Sequence, residues 1–275
     1  MTNRGKEPAG GILDRIVEAR RVRVEAARRA VPLAEVRREA EAAHPPISFK
    51  RALASRPGIS VIAEMKRSSP AAGELDPNLD PAVRAGVYCR AGAAAISVLT
   101  EPDFFGGFNA DLTRAKHVAV QHDVAILQKD FVFDEYQVYE ARAAGADAVL
   151  LIIAILSPAL YAGLLETANA LGMDALVEVF DGPELEIALR ESPAIVGVNN
   201  RNLKTLETSL TVFETLARQI PAAALKVAES GMKNESDVAR MGRAGAKAVL
   251  VGESLMRAGE DAGALVRSMA KATVG

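Results

Sequence analysis

The 275-residue sequence has no tryptophan, one cysteine and three histidines. A single cysteine, Cys89, cannot close an internal disulfide and excludes a cysteine-rich metal site. His44, His117 and His122 stand at no ligand spacing and at no predicted strand end. No metal centre and no Ser-His-Asp triad is therefore expected. Aromatic residues make up only 4%, so any core must be built from Ala, Val, Leu and Ile. Charge of one sign is also lacking: 33 basic and 35 acidic side chains leave a formal net charge of −2. That balance offers no electrostatic basis for a nucleic-acid partner. The opening MTNRGKEPAGGILDR has no apolar signal core. The longest apolar run, Ala148–Leu156, is short of the about 20 residues that cross a bilayer. A cytoplasmic protein with no membrane contact is expected.

What is present is a 49% hydrophobic chain, ample for a buried core. Its length suits one or two domains, and α/β barrels often reach this size as one. Residues 1–10 read as a frayed terminus. From Gly11 to Ala43 the pattern is helical, with Ile12, Leu13, Ile16 and Val17 sharing one face. Pro32 breaks it into two helices, and His44-Pro45-Pro46 stops the second. The arginines here read most simply as a solvated face. The alternative is that this extension covers one mouth of the domain C-terminal to it and contributes to a site.

From residue 60 the chain alternates. Eight short apolar runs read as strands: Val61–Met65, Ala94–Leu99, Val124–Gln128, Ala148–Ile153, Ala175–Val179, Ile195–Val198, Leu225–Ala228 and Ala248–Val251. Helical-period segments lie between them. Such alternation implies parallel strands joined by right-handed crossovers. Three strand entries nearly repeat: Arg90-Ala-Gly-Ala-Ala-Ala-Ile, Ala144-Gly-Ala-Asp-Ala-Val and Arg243-Ala-Gly-Ala-Lys-Ala-Val. Each glycine reads as a left-handed helix end. A (β/α)8 TIM barrel at 54–275, with an N-terminal helical extension at 1–53 packed on it, is the first choice. An open doubly wound sheet is second, but no GxGxxG follows the first strand.

In such barrels function sits at the C-terminal strand ends. Read in order, those ends carry Glu64 and Lys66, then Thr100, Glu101 and Phe104-Phe105-Gly106-Gly107, then Lys129, Asp130 and Phe131. The later ends carry Glu178, Asn199 with Arg201, Glu229-Ser230-Gly231, and Gly252-Glu253-Ser254. Lysines and glutamates share one rim, as proton transfer requires. Lys66 and Lys129 are expected to depress each other's pKa, with Glu64 and Glu229 restraining the charge. Glu178, inside an apolar strand, should point into the barrel mouth; the plainer reading pairs it with Arg201 or a lysine. Gly231 and Gly252 follow the last two strands, where barrels commonly seat a phosphate. From the residues alone, this is an acid–base enzyme without a cofactor, acting on a small phosphorylated anion.

The segments IAEMKRSSPAAG, SVLTE with FFGG, LQKDFV, LVEVFD, GVNNRNLKTLE, VAESGM and VLVGESLM resemble, in order and at barrel spacing, those of the indole-3-glycerol phosphate synthase family. ILDRIVEARRVRVEAARRAVPLAEV is similar to that family's helical extension. The resemblance implies a carboxy-lyase of tryptophan biosynthesis. Its substrate is 1-(2-carboxyphenylamino)-1-deoxyribulose 5-phosphate; its products are indole-3-glycerol phosphate, CO2 and water. It implies Lys129 as general acid for ring closure and Glu178 as acid/base partner in dehydration. Lys66 would engage the anthranilate carboxylate, while Glu64, Asn199, Glu229 and Ser230 position these groups. Ser69, Gly231, Gly252 and the Glu253 amide would hold the phosphate, and Phe104 and Phe131 would enclose the ring. Arg201 would be structural or a carboxylate contact. The chain departs from the family pattern at Phe180, where a histidine is frequent, and at Gly106, where a larger polar residue is common.

Three rivals remain at this level. Another phosphate-binding barrel isomerase, such as phosphoribosylanthranilate isomerase, needs a Cys/Asp pair at strand ends, and Cys89 falls within a predicted helix. A barrel that binds the ligand without turnover would not need Lys66, Lys129 and Glu178 together. A purely structural scaffold leaves the ionisable strand ends without a purpose. A monomer is expected, with a weak dimer as the alternative.

Overall fold

The computed structural model describes residues 11–273. Residues 1–10, expected as a frayed terminus, lie outside the described residues, as do 274 and 275.

The alternating apolar runs become strands because each has one face for the barrel interior and one for the surrounding helices. The strands are β1 (Ser60–Met65), β2 (Ser68–Ser69), β3 (Gly73–Glu74), β4 (Ala95–Leu99), β5 (Ala125–Lys129), β6 (Ala148–Ile152), β7 (Asp174–Val179), β8 (Ile195–Asn199), β9 (Leu225–Glu229) and β10 (Ala248–Val251). The closed parallel barrel runs β1-β4-β5-β6-β7-β8-β9-β10 and back to β1, while β2 and β3 form a small antiparallel hairpin after β1. Ile62, Leu127, Leu150, Leu176, Val227 and Leu250 fill the interior. Their strand neighbours Val61, Ile96, Val98, Val149, Leu151 and Val177 pack under the helices.

The helices are α1 (Ile12–Ala30), α2 (Leu33–Ala42), α3 (Phe49–Ala54), α4 (Pro81–Ala91), α5 (Pro102–Phe105), α6 (Asn109–Ala119), α7 (Glu135–Ala143), α8 (Pro158–Ala170), α9 (Gly182–Leu189), α10 (Thr211–Leu216), α11 (Glu235–Arg243), α12 (Glu253–Arg257) and α13 (Ala262–Met269). Buried alanines, among them Ala85, Ala115, Ala141 and Ala188, let them sit close to the sheet. The repeated glycines Gly92, Gly145 and Gly245 have φ of 88°, 100° and 102°, the left-handed helix ends expected. Pro32 caps α2 as expected.

Two expectations change. Reading strands by apolarity stopped three of them early. Strands β5, β8 and β9 run on to Lys129, Asn199 and Glu229, because a polar residue at the rim of a barrel still keeps its backbone pairing. Most α1 arginines stay exposed as expected, but Arg20 does not, and several exposed ones reach acids of the barrel. Arg20 is 7% exposed and bonded to Asp130, Arg23 binds Asp103, Arg28 pairs with Asp134, and Arg37 on α2 reaches Glu135. The Arg21 guanidinium lies 4.8 Å from the Phe133 ring centroid. Through these pairs, and with Leu13 and Ile16 lining the cavity, the extension covers the mouth.

Candidate active site

A cavity of about 620 Å³ opens at the C-terminal end of the barrel. Strand geometry places its chemistry. Side chains alternate inward and outward, so Glu64, Lys129, Glu178, Asn199 and Glu229 all turn inward near the top of their strands. Lys129 Nζ lies 3.1 Å from Glu178 Oε2 and 3.3 Å from Glu229 Oε2. Asn199 Nδ2 donates to Glu178 Oε1 at 3.1 Å. Lys66 pairs with Glu64. The result is two lysines and three glutamates, each glutamate 2% exposed or less.

Two glycines make room for this cluster. A Cβ on Gly197 would lie 2.1 Å from Glu229 Oε1, and one on Gly252 would lie 2.1 Å from Glu64 Oε1 and 2.9 Å from Lys66 Nζ. Gly252 was expected to serve the phosphate; it also makes space for Glu64. Gly197 was not singled out in the sequence, although a glycine inside a strand commonly marks such a close approach.

The electrostatics differ from expectation. Lys66 does not depress Lys129. Burial lowers the Lys129 pKa, but Glu178, Glu229 and Glu64 outweigh it, and Lys129 is held above the ordinary lysine value. Lys66 is paired with Glu64, and Lys129 with both Glu178 and Glu229. Burial pushes Glu229 up to about 8, against Lys129 and assisted by Glu178. Among the described residues, Glu229 Oε1 and Glu64 Oε2 find no hydrogen-bond partner.

Elsewhere around the cavity, Ser69, Ser230, Gly231, Gly252, Glu253 and Arg201 all line the wall. Ser230 and Gly231 turn the chain out of β9 with φ of 62° and 90°. A side chain on Gly231 would meet Thr208 Cγ2 at 2.9 Å. Arg201 does not pair with Glu178; its Nη2 donates to Glu253 Oε2 at 3.0 Å. Burial raises the Glu253 pKa, but the Arg201 and Arg257 hydrogen bonds win and hold it below the usual value. Lys233 and Arg257, not anticipated, add two cations at this end.

The opposite wall is apolar. Phe131 lines it with Phe105, their ring centroids 6.0 Å apart. Phe104 does not line the cavity; it lies beneath Arg15, 5.9 Å from the guanidinium carbon. The buried Glu101 carboxylate accepts from the amides of Asp103, Phe104 and Phe105, and this one-turn cap puts Phe105 inside. Leu13 and Ile16 of α1 complete the wall. Their helical stripe was legible, but what it packs against was not.

A closed (β/α)8 barrel whose mouth joins lysine–carboxylate pairs to an apolar wall and a cationic, glycine-lined corner defines the class: a barrel enzyme of acid–base chemistry. The sequence pattern of the family described as "Indole-3-glycerol phosphate synthase" matches residues 13–269, and the chain belongs to that family. A relative of that name from Mycolicibacterium smegmatis is 45% identical over 249 residues, covering 90% of each chain. One from Albidiferax ferrireducens is 45% identical over 266 residues, covering 95% of this chain and 99% of its own. One from Parafrankia sp. is 52% identical over 204 residues, covering 74% and 75%. Among solved structures, a thiamine phosphate pyrophosphorylase from Pyrococcus furiosus superposes with a TM-score of 0.61 at 15% identity, covering 82% of this chain and 96% of its own. That likeness shows the fold alone. The activity of the chain is that of its family, a carboxy-lyase of tryptophan biosynthesis acting on a phosphorylated small molecule. No described helix is long and apolar enough to cross a membrane.

Proposed function

We propose that the cavity performs the family reaction with Lys129 as general acid and Glu178 as its acid–base partner. The observation that carries this is the Lys129 ammonium, held between Glu178 and Glu229 at the cavity floor. The substrate's ring carbon attacks the ketone carbon. Lys129 gives its proton to the ketone oxygen, which becomes a hydroxyl. The ring carboxylate leaves as CO2, its C–C electron pair restoring the ring. Glu178 then takes a proton from the adjoining CH2 carbon and passes it to the hydroxyl, which leaves as water as the C=C bond of the indole forms; solvent returns a proton to Lys129. Because Lys129 stays protonated in the resting site, it enters each cycle as the acid. The apolar wall of Phe105, Phe131, Leu13 and Ile16 would enclose the ring and favour release of neutral CO2 from a buried carboxylate.

Lys66, paired with Glu64, engages the substrate carboxylate. Asn199 orients Glu178, and Glu229 orients Lys129. The phosphate rests on the main-chain N–H groups of Gly231, Gly252 and Glu253 with the Ser69 hydroxyl. Ser230 shapes that corner through its left-handed turn, and Arg201 ties Glu253 in place. Every group in the lysine–glutamate cluster comes from one chain, so the chemistry asks for no second copy. The test is incubation with the carboxyphenylamino-deoxyribulose phosphate, followed by indole fluorescence. A signal that vanishes in Lys129→Ala is the expected result. A signal that persists at near-parental kcat overturns the assignment of the acid.

A further inference from the structure

We propose that Arg20 is a positioning residue for this reaction: from the N-terminal helix it fixes, through Asp130, the strand end that carries Lys129 and Phe131. The inference rests on the role given to Lys129 above. Arg20 lies on the buried face of α1 with Leu13, Ile16 and Val24, a spacing that keeps all four on one side of a helix. Leu13 and Ile16 line the cavity. One turn further on, Arg20 makes a two-point bond to Asp130, with Nε 2.9 Å from Oδ1 and Nη2 2.8 Å from Oδ2. A planar fork of this kind sets orientation as well as distance.

Asp130 is 1% exposed and uses its remaining capacity locally. It accepts from Thr100 Oγ1 at 2.7 Å and from its neighbour's amide, Phe131 N, at 2.8 Å. Thr100 N in turn donates to the Lys129 carbonyl at 3.1 Å. One carboxylate therefore ties together α1, the end of β4 and the exit of β5. The residue before it is the general acid, and the residue after it walls the ring. Arg20 also faces other acids. Glu140 on α7, which burial pushes up to about 7, and Glu101 both act on it. Without the guanidinium, Asp130 would stand buried among carboxylates and move away from them, taking the Lys129 backbone with it.

The phosphate corner is built from β9 and β10, across the barrel, so the grip on substrate should survive. Arg20→Lys keeps the charge and removes the fork. Its kcat is expected to fall about tenfold while KM stays within about threefold, since a small misplacement of an acid costs turnover and not binding. In Arg20→Ala, added guanidinium ion should restore kcat and ammonium ion should not. If Arg20→Ala does not fold, Arg20→Lys carries the test. Parental kcat in folded Arg20→Lys, or a loss confined to KM, overturns the proposal and leaves Arg20 a packing residue. Lys129→Ala is read separately: activity there removes the acid assignment itself, whatever the Arg20 variants do.

Discussion

The two ends of the barrel both bury charge, and they treat it in opposite ways. At the N-terminal end, Asp147 precedes β6 and is fully buried. Both its oxygens lie 2.7 Å from Lys116 Nζ, and it accepts from the amides of Ile47 and Ile126 at 2.8 and 2.7 Å. Asp174, at the start of β7, accepts from Ser48 Oγ and Lys50 N. The bonds from Ile47, Ser48 and Lys50 pin the α2–α3 connection to the barrel floor, and those from Lys116 and Ile126 tie α6 and β5 to Asp147. At the C-terminal end, three glutamates share two lysines, and among the described residues the buried Glu64 Oε2 and Glu229 Oε1 are left without a partner. A buried charge whose hydrogen bonds are complete fixes structure; one held in excess is available to a substrate or a proton.

Lys129→Ala should break the comparison most severely at the upper end. A drop in kcat of about 10²–10⁴-fold is expected, with cooperative unfolding retained, read by fluorescence assay and thermal melt. Asp147→Ala is the opposite case. It leaves Lys116 and two amides unsatisfied and should cost about 3–5 kcal/mol in denaturant unfolding, with kcat per folded molecule unchanged. A large loss of turnover there would erase the distinction between the ends.

Gly197→Ala sharpens the contrast further, because the added Cβ displaces Glu229 without removing any charge. A fall in kcat of about ten- to a hundredfold is expected, with the ordered fold checked by circular dichroism. The smallest effect concerns pH. Glu229 is raised from 4.5 to about 8. The folded state therefore keeps a proton that the unfolded state gives up. The stability associated with that proton is fully present below about 4.5 and is lost as pH rises through about 8. Unfolding free energy measured from pH 5 to 9 should decline less in Glu229→Gln than in the parent. Equal slopes would mean that Glu229 is ionised throughout.

Much of this was legible in the chain. The eight apolar runs, the Ala-Gly-Ala entries and the Pro32 break all express local preferences: period-two burial, left-handed helix ends, a proline with no N–H to give. They survive folding because the fold is assembled from them. The strand-end lysines and glutamates were legible for the same reason, since an ionisable residue closing an apolar run has few other places to go. Contacts between segments were not legible. Phe104 and Phe105 are adjacent aromatics in the turn capped by Glu101, and only Phe105 lines the cavity. Gly197 looked like any strand glycine until Glu229, from the next strand, came to lie over it.

By itself, then, the sequence determined the alternation of elements, the barrel they close into, and the residues brought to its rim. These follow from periodicity and from the cost of burying charge within a single segment. The tertiary structure alone decided which charge faces which. It paired Lys66 with Glu64 and Lys129 with Glu178 and Glu229, raised Lys129 where mutual repulsion had been expected to lower it, and turned Arg20 from solvent toward Asp130. Such outcomes depend on distances of a few ångströms between residues up to 110 positions apart in the chain, as Arg20 and Asp130 are. Coulombic and hydrogen-bond energies vary steeply over those distances, and no local pattern encodes them.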